Sequence, residues 1–340
     1  MRLATYLADG PRIGAVEAEE VWDLRQVYAL YLFENERTPR HRELAEHLVP
    51  DDMALFIRLN HGRLEEFREA LDFVTANREA LSVHAAGGAA GLARPLAGTR
   101  LLPPVMTPSK VICCGSSYGE HLEEIGLPVS DWPQDVKISF LKPPSALIGH
   151  GDTLLFPPDS TDWDYENELT IVIGRTCSDV SESEADRFIF GYSIVNDACV
   201  RDIPKWTGGY DSPRGKACDT LAPFGPWIVP SPYLKGDPND LHLKTTIDGE
   251  VRQDTRTSGL LWPVQRIVAF VSRYIRLFPG DIITTGSSSG NALRGPGPYL
   301  TVGQVVRCEM EGIGVLENTV GVRTWTSDLP PLAPPTSSAT

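Results

Sequence analysis

The chain has no apolar run approaching the roughly 20 residues that cross a bilayer as a helix. Its opening, "MRLATYLADGPRIG", also lacks the basic, apolar, small-residue order of a secretion signal. These two absences predict a cytoplasmic protein with no membrane partner. Positive charge is scarce: 31 Lys and Arg stand against 45 Asp and Glu, a net charge of −14. Such a chain repels a phosphate backbone, which argues against nucleic acid as a partner. Cysteine is dilute as well. Cys113, Cys114, Cys177, Cys199, Cys218 and Cys308 form no CxxC pair and no regular spacing, so free thiols are expected rather than a disulfide framework. Adjacent Cys113 and Cys114 follow the apolar "KVI" and read as small buried hydrophobes. There is no glycine-rich dinucleotide fingerprint and no P-loop, so no nucleotide cofactor is implied.

What is present is ordinary globular material, 340 residues with 41% hydrophobic and 22% charged side chains. That length suits one large domain with a smaller companion. The stretch "RLATYLADGPRIGAVEAEEVWDL" alternates β-rich runs around an Asp9–Gly10 turn, the pattern of a hairpin followed by a third strand. Over residues 38–81 apolar positions recur three and four apart, which predicts a helical insert or cap. The Gly, Ala and Pro-rich "HAAGGAAGLARPLAGTRLLPPV" suits a connection and places a boundary near Pro104. Residues 1–103 are therefore read as a small N-terminal β meander plus helical region, 104–325 as the main domain, and 326–340 as a flexible tail. The main domain reads as mostly β (α+β), with runs such as "KVICCG", "LTIVIG", "GYSIVND", "FGPWIVP" and "VVRCEMEGIGVLEN" as strands. Helical patterns there are confined to 118–125, 182–188 and 263–277.

Two acidic residues interrupt this apolar pattern. In "DYENELTIVIG", Glu166 and Glu168 are two apart, so in a strand they project from one face. Two partly buried carboxylates repel, and one stays protonated unless a cation lies between them. A third, Asp197, closes the strand in "GYSIVND", and three oxygen ligands suit Mg2+ or Mn2+ better than zinc. Taken alone, a merely solvated acidic strand end is the alternative. Arg201 and Asp202 follow Asp197, and Lys216 stands in "RGKACDT". In "TTGSSSGNALRGPG" a Gly-Ser loop follows a strand, either presenting N–H groups to an anion or forming a plain surface turn. In "SSYGEHLEE", His121 and Glu124 lie three apart on one face of a short helix. A carboxylate that orients an imidazole makes it a better base for activating water; the alternative is an exposed helix with a chance pair.

Taken together, "SSYGEHLEE", "SFLKPPSALIG", "DYENELTIVIG", "GYSIVNDACVRD", "GKACDTLAPFGPWIV", "DGEVRQ", "FPGDIITTGSSSG" and "EGIGVLEN" resemble, in the same order, the fumarylacetoacetate hydrolase family. The resemblance implies a mixed β-roll main domain, a homodimer, and Mg2+ or Mn2+ held by Glu166, Glu168 and Asp197. It implies His121, Glu124 and Lys216 as catalytic residues, and Lys142, Arg201, Gln253, Thr285, Gly286 and Ser287 around a small 2-oxo or diketo acid substrate. The reaction it points to is metal-dependent hydrolysis of a carbon–carbon bond in a 1,3-diketo acid of the acylpyruvate or fumarylacetoacetate type, in catabolism of an aromatic or related compound. Decarboxylases, isomerases and hydratases of the same family are the alternative, and an inactive metabolite-binding homologue is the non-enzyme alternative. Retention of both His121 and Glu124 favours hydrolysis. Three positions depart from the family pattern: Ser287 and Ser288 where Thr-Pro is frequent, Pro204 where Gln is frequent, and Ser117 where Asn often precedes the Tyr. All three bear on substrate specificity.

Overall fold

The first strand of the chain does not stay within an N-terminal unit. In the computed structural model, which describes residues 1–85, 88–202, 212–293 and 298–324, Arg2–Leu7 pairs with Pro11–Glu17 across the Asp9–Gly10 turn. On its other side it meets Ala222–Pro230, with Leu3 opposite Ile228. A twelve-stranded sheet thus runs through both parts of the chain. Its order is Ala93–Pro95, Glu20–Asp23, Pro11–Glu17, Arg2–Leu7, Ala222–Pro230, Ile189–Asn196, Asn167–Ile173, Ile282–Thr284, Val111–Cys114 and Ile138–Lys142, with two short strands beside this path. A second sheet of five strands takes the order Glu250–Arg256, His242–Ile247, Val305–Met310, Gly314–Val322 and Thr153–Phe156.

Alternation along the strands decides what each face covers. Leu169, Ile171 and Ile173 share a core with Leu243, Val306, Cys308 and Leu316 of the five-stranded sheet. Val172, Val195, Phe224 and Ile228 share the other core with Leu24, Phe56, Phe67 and Leu71 of the N-terminal helices. The layers are therefore helices, large sheet, small sheet. Every residue of Asn167–Ile173 is buried, which is why this strand reads as an apolar run rather than an alternating one. Each fully buried Leu, Ile or Phe contributes about 1.5–3 kcal/mol, so the strand that carries Glu168 is among the most firmly packed parts of the molecule.

The helical region begins earlier than its apolar spacing suggests. Leu24–Glu34 is already a helix, capped by Asp23, whose side chain accepts the Gln26 N–H at 2.9 Å. Its sequence, "LRQVYALYLFE", is rich in apolar and aromatic residues on more than one face, which blurs the stripe. His41–Leu48, Met53–Asn60 and Leu64–Ala76 fill the predicted interval. In the main domain the strands appear where their runs place them, and the helices among the described residues are Gly119–Glu124, Val264–Tyr274 and the short Ser212–Lys216, which the apolar spacing does not predict and which carries Lys216, with a 3-10 turn at Glu182–Phe188. The fold is α+β, as expected. All six cysteines are free thiols. Among the described residues no helix is long and apolar enough to cross a membrane. Pro204 and the 326–340 tail lie outside the described residues.

Candidate metal centre

Antiparallel pairing brings the acidic residues together. Asn167 lies opposite Asn196, so the start of one strand meets the end of its neighbour and Glu166 and Glu168 arrive beside Asp197. The strand begins at Asn167 rather than at Glu166. Glu166 is instead fixed on its approach: its N–H donates to the Asn196 side chain at 2.9 Å, and its carbonyl accepts the Asp197 N–H at 2.8 Å. Oxygens of Glu166, Glu168 and Asp197 lie within 4.8 Å of one another. The residues are 8%, 1% and 1% exposed, far from a solvated strand end.

Three cations crowd this cluster. Lys216 Nζ lies 2.5 Å from Glu166 and 2.9 Å from Asp197, and also donates to the Asp197 carbonyl. Arg201 donates to Asp164 at 2.8 Å and to Glu166. Lys142 Nζ sits 2.6 Å from Asp197 Oδ1 and donates to the carbonyls of Ala198 and Leu221. Among the described residues, four carboxylates, Asp164, Glu166, Glu168 and Asp197, thus face three cations. Burial opposes ionisation of Glu166, but Lys216 and Arg201 outweigh it and hold its pKa at about 2. Glu168 has the opposite fate. Burial, followed by the charges of Asp197 and Glu166, pushes its pKa well above the usual carboxylate range. Asp197 Oδ1, although at ion-pair distance from Lys142, receives no aligned hydrogen bond. A surplus carboxylate, an unsatisfied buried oxygen and an all-oxygen ligand set fit a hard divalent cation.

A second trio lies beside the first. Asp164, Glu166 and Cys199 also offer atoms within 4.8 Å of one another, but the Arg201 guanidinium bridges Asp164 and Glu166 there. Burial, opposed by Arg201 and Lys216, still pushes the Cys199 thiol up to about 12, so it stays protonated and ligates poorly.

The predicted base pair forms. His121 Nδ1 lies 3.2 Å from Glu124 Oε2, and Glu124 accepts the Gly290 N–H at 3.0 and 3.2 Å. At the other end of the same loop Gly286 donates its N–H to Glu168 at 2.8 Å. Gly286 has φ +96°, and a Cβ there would stand 2.8 Å from Ser117 Oγ, so glycine is required on both counts.

Several residues expected to hold substrate make hydrogen bonds or ion pairs within the protein. Lys142 is 2% exposed and buried against Asp197. Arg201 is tied to Asp164 and Glu166. Thr285 Oγ1 donates to the Leu169 carbonyl at 3.0 Å. Gln253 Oε1 accepts from the Asn167 N–H at 3.1 Å and from Thr245 Oγ1 at 2.9 Å, and its Nε2 donates to Ser287 and Ser288. Ser287 and Gly286 lie on the loop that reaches Glu168. Asp202 accepts from Ser160 and Thr161 and staples a neighbouring loop. Sequence reasoning missed Asp164 and Asn196. Asp164 stands two residues before Glu166, in register with the ExE pair, which is a usable signal; Asn196 acts only through the strand pairing.

Residues 110–321 match the family model described as Fumarylacetoacetate (FAA) hydrolase C-terminal. The mitochondrial oxaloacetate tautomerase FAHD2A of Bos taurus is 34% identical over 227 residues, which is 66% of this chain and 71% of the relative. Among solved structures, the fumarylacetoacetate hydrolase of psychrophilic Exiguobacterium antarcticum superposes with a TM-score of 0.70 at 30% identity, covering 95% of this chain and all of that one. The maleylpyruvate hydrolase of Sphingobium sp. SYK-6, solved in complex with manganese(II) ion and pyruvate, has a TM-score of 0.65 at 27% identity with the same coverage.

Proposed function

This chain belongs to the fumarylacetoacetate hydrolase family, and on that premise we propose that it is a Mg2+- or Mn2+-dependent hydrolase of a carbon–carbon bond in a 1,3-diketo acid. The observation that carries the reading is that the acidic trio and the His121–Glu124 pair meet on one loop, through the Gly286 and Gly290 N–H groups. Glu166, Glu168 and Asp197 would hold the ion, which supplies Lewis-acid polarisation of adjacent substrate oxygens. Manganese together with pyruvate in the Sphingobium hydrolase supports a 2-oxo acid as the ligand class.

The chain's own residues then divide the work. With Nδ1–H directed at Glu124, His121 presents Nε2 as the base that takes a proton from water. The hydroxide adds to the carbonyl carbon remote from the carboxylate. The bond between that carbon and the neighbouring methylene breaks, its electron pair stays on the methylene carbon, and the proton held by His121 is delivered there. One water is consumed and two acids leave. The Lys216 ammonium, fixed among Glu166 and Asp197, offsets the negative charge that builds during cleavage.

A second reading, tautomerisation of a 2-oxo acid, is supported by the kinship with oxaloacetate tautomerase. The same pair would move a proton between carbon and oxygen with no water incorporated. Mass spectrometry of products formed in 18O-labelled water from acetylpyruvate, fumarylpyruvate, fumarylacetoacetate and oxaloacetate separates the two. Paired acids carrying one labelled oxygen support the hydrolase; keto–enol exchange of oxaloacetate with no cleavage of any diketo acid replaces it with the tautomerase. The proposal includes a homodimer, which sedimentation velocity tests.

A further inference from the structure

We infer that Gln253 is a positioning residue that pins the 286–290 loop to the acidic strand and so fixes the separation between the ligand Glu168 and the base pair His121–Glu124. This rests on the proposed function. Gln253 lies on Glu250–Arg256 of the five-stranded sheet and is 1% exposed. Its amide is saturated. Oε1 takes two donors, the Asn167 N–H at 3.1 Å and Thr245 Oγ1 at 2.9 Å. Nε2 faces four oxygens: Ser287 Oγ at 3.0 Å, Ser288 Oγ at 3.1 Å, Ser288 O at 3.3 Å and Ser289 O at 3.4 Å. The orientation is determined by this network, because a flipped amide would set N–H against the Asn167 N–H and oxygen against the four loop oxygens. No capacity is left for a substrate.

What Gln253 joins is specific. Asn167 is the residue between Glu166 and Glu168, so one side of the amide grips the acidic strand at its start. The other side grips a loop whose Gly286 N–H binds Glu168 and whose Gly290 N–H binds Glu124. Gly290 lets the loop press onto Glu250–Arg256: a Cβ there would fall 2.0 Å from the Arg252 carbonyl, one residue before Gln253. The strand, the loop, the ligand and the base pair are therefore linked in one hydrogen-bonded chain with Gln253 at its centre. Partners of this kind, one step removed from a metal, affect metal affinity or activity by about 10- to 100-fold.

The test compares Gln253→Glu, Gln253→Met and Thr245→Val with the unaltered chain, measuring Mn2+ affinity by titration calorimetry, steady-state kcat and KM, and thermal melting. Gln253→Glu keeps the acceptor and replaces the donor, so it turns an oxygen toward four oxygens. The expected result is Mn2+ affinity weakened about 10- to 100-fold and kcat lowered at saturating metal, with KM little changed. Thr245→Val keeps the side-chain shape, touches Gln253 only from behind, and should shift the same two quantities in the same direction by less, which keeps the inference testable if the Gln253 variants fail to fold. Lower melting temperatures with unchanged Mn2+ affinity and kcat would reduce Gln253 to a packing residue and overturn the inference. A raised KM at unchanged kcat would overturn it differently, by making Gln253 a direct substrate contact. An unaltered chain that binds no Mn2+ would instead sink the proposed function, and this inference with it.

Discussion

Two acidic trios share Glu166 and lie side by side, one suited to a metal and one closed. In each, three ligand-type atoms fall within the same 4.8 Å, so proximity does not separate them. The cations do. Around Asp164, Glu166 and Cys199 the guanidinium of Arg201 already bridges two carboxylates, and the thiol is protonated. Around Glu166, Glu168 and Asp197 the two lysines lie at ion-pair distance from Glu166 and Asp197, and among the described residues they leave Glu168 as a surplus carboxylate with a raised pKa. A metal site in a protein interior is identified by charge left over once the internal cations are counted, because an uncompensated buried carboxylate either stays protonated or recruits a cation.

The largest effect should come from removing that surplus. Glu168→Gln should eliminate Mn2+ binding and reduce turnover below detection while the fold persists; metal-dependent turnover surviving in this variant would break the distinction between the trios. Next, Arg201→Met should reopen the closed trio and strand Asp164. Breaking a buried pair from one side costs about 3–5 kcal/mol, read as a lower denaturation midpoint, and Asp164→Asn on top of it should recover part of the loss. Recovery of nothing would mean Arg201 does not exist chiefly to neutralise Asp164.

A third test is pH. The folded-state pKa of Glu168 lies above its unfolded value. Its contribution to metal-free stability is therefore present below the ordinary carboxylate pKa and is lost as pH rises toward the raised value. Binding of a metal expels that proton, so Mn2+ affinity and the stabilisation by Mn2+ should both grow across the same interval. Calorimetry in buffers of different ionisation heat counts the proton released; a pH-independent affinity would assign the surplus charge elsewhere. The smallest effect is expected at Cys199→Ala, which should leave Mn2+ affinity unchanged. In the unaltered chain loaded with Co2+, the absence of a thiolate charge-transfer band checks the same point, and its presence would move the metal to the closed trio.

Part of the metal centre is legible in the amino-acid sequence. The ExE spacing, Asp197 at a strand end and the His121–Glu124 spacing are local, and local geometry follows from the period of a strand or helix. The strands of the main domain are equally readable, since their apolar runs are bounded by Gly, Pro and Asp. The helix Leu24–Glu34 is not, because apolar residues on several of its faces erase the stripe. Lys142, Arg201 and Gln253 are recognisable as polar residues of the site from their resemblance to family positions, but the ion pairs and hydrogen bonds each makes within the protein are visible only in the structure. Sequence shows that a charge or an amide is present; it does not show which partner has already claimed it.

By itself the sequence determined the inventory: three carboxylates at strand ends, an oriented histidine, a Gly-Ser loop after a strand, and too little positive charge on the whole for a nucleic-acid surface. Tertiary structure alone decided which carboxylate has no cation beside it among the described residues, because that depends on ammonium and guanidinium groups arriving from residues 142, 201 and 216 at distances of a few ångströms, where Coulomb energies in a dry interior change steeply. It also decided that the N-terminal strands and the main domain share one sheet, since the pairing of Leu3 with Ile228 joins residues far apart in the chain whose local patterns say only that each is a strand.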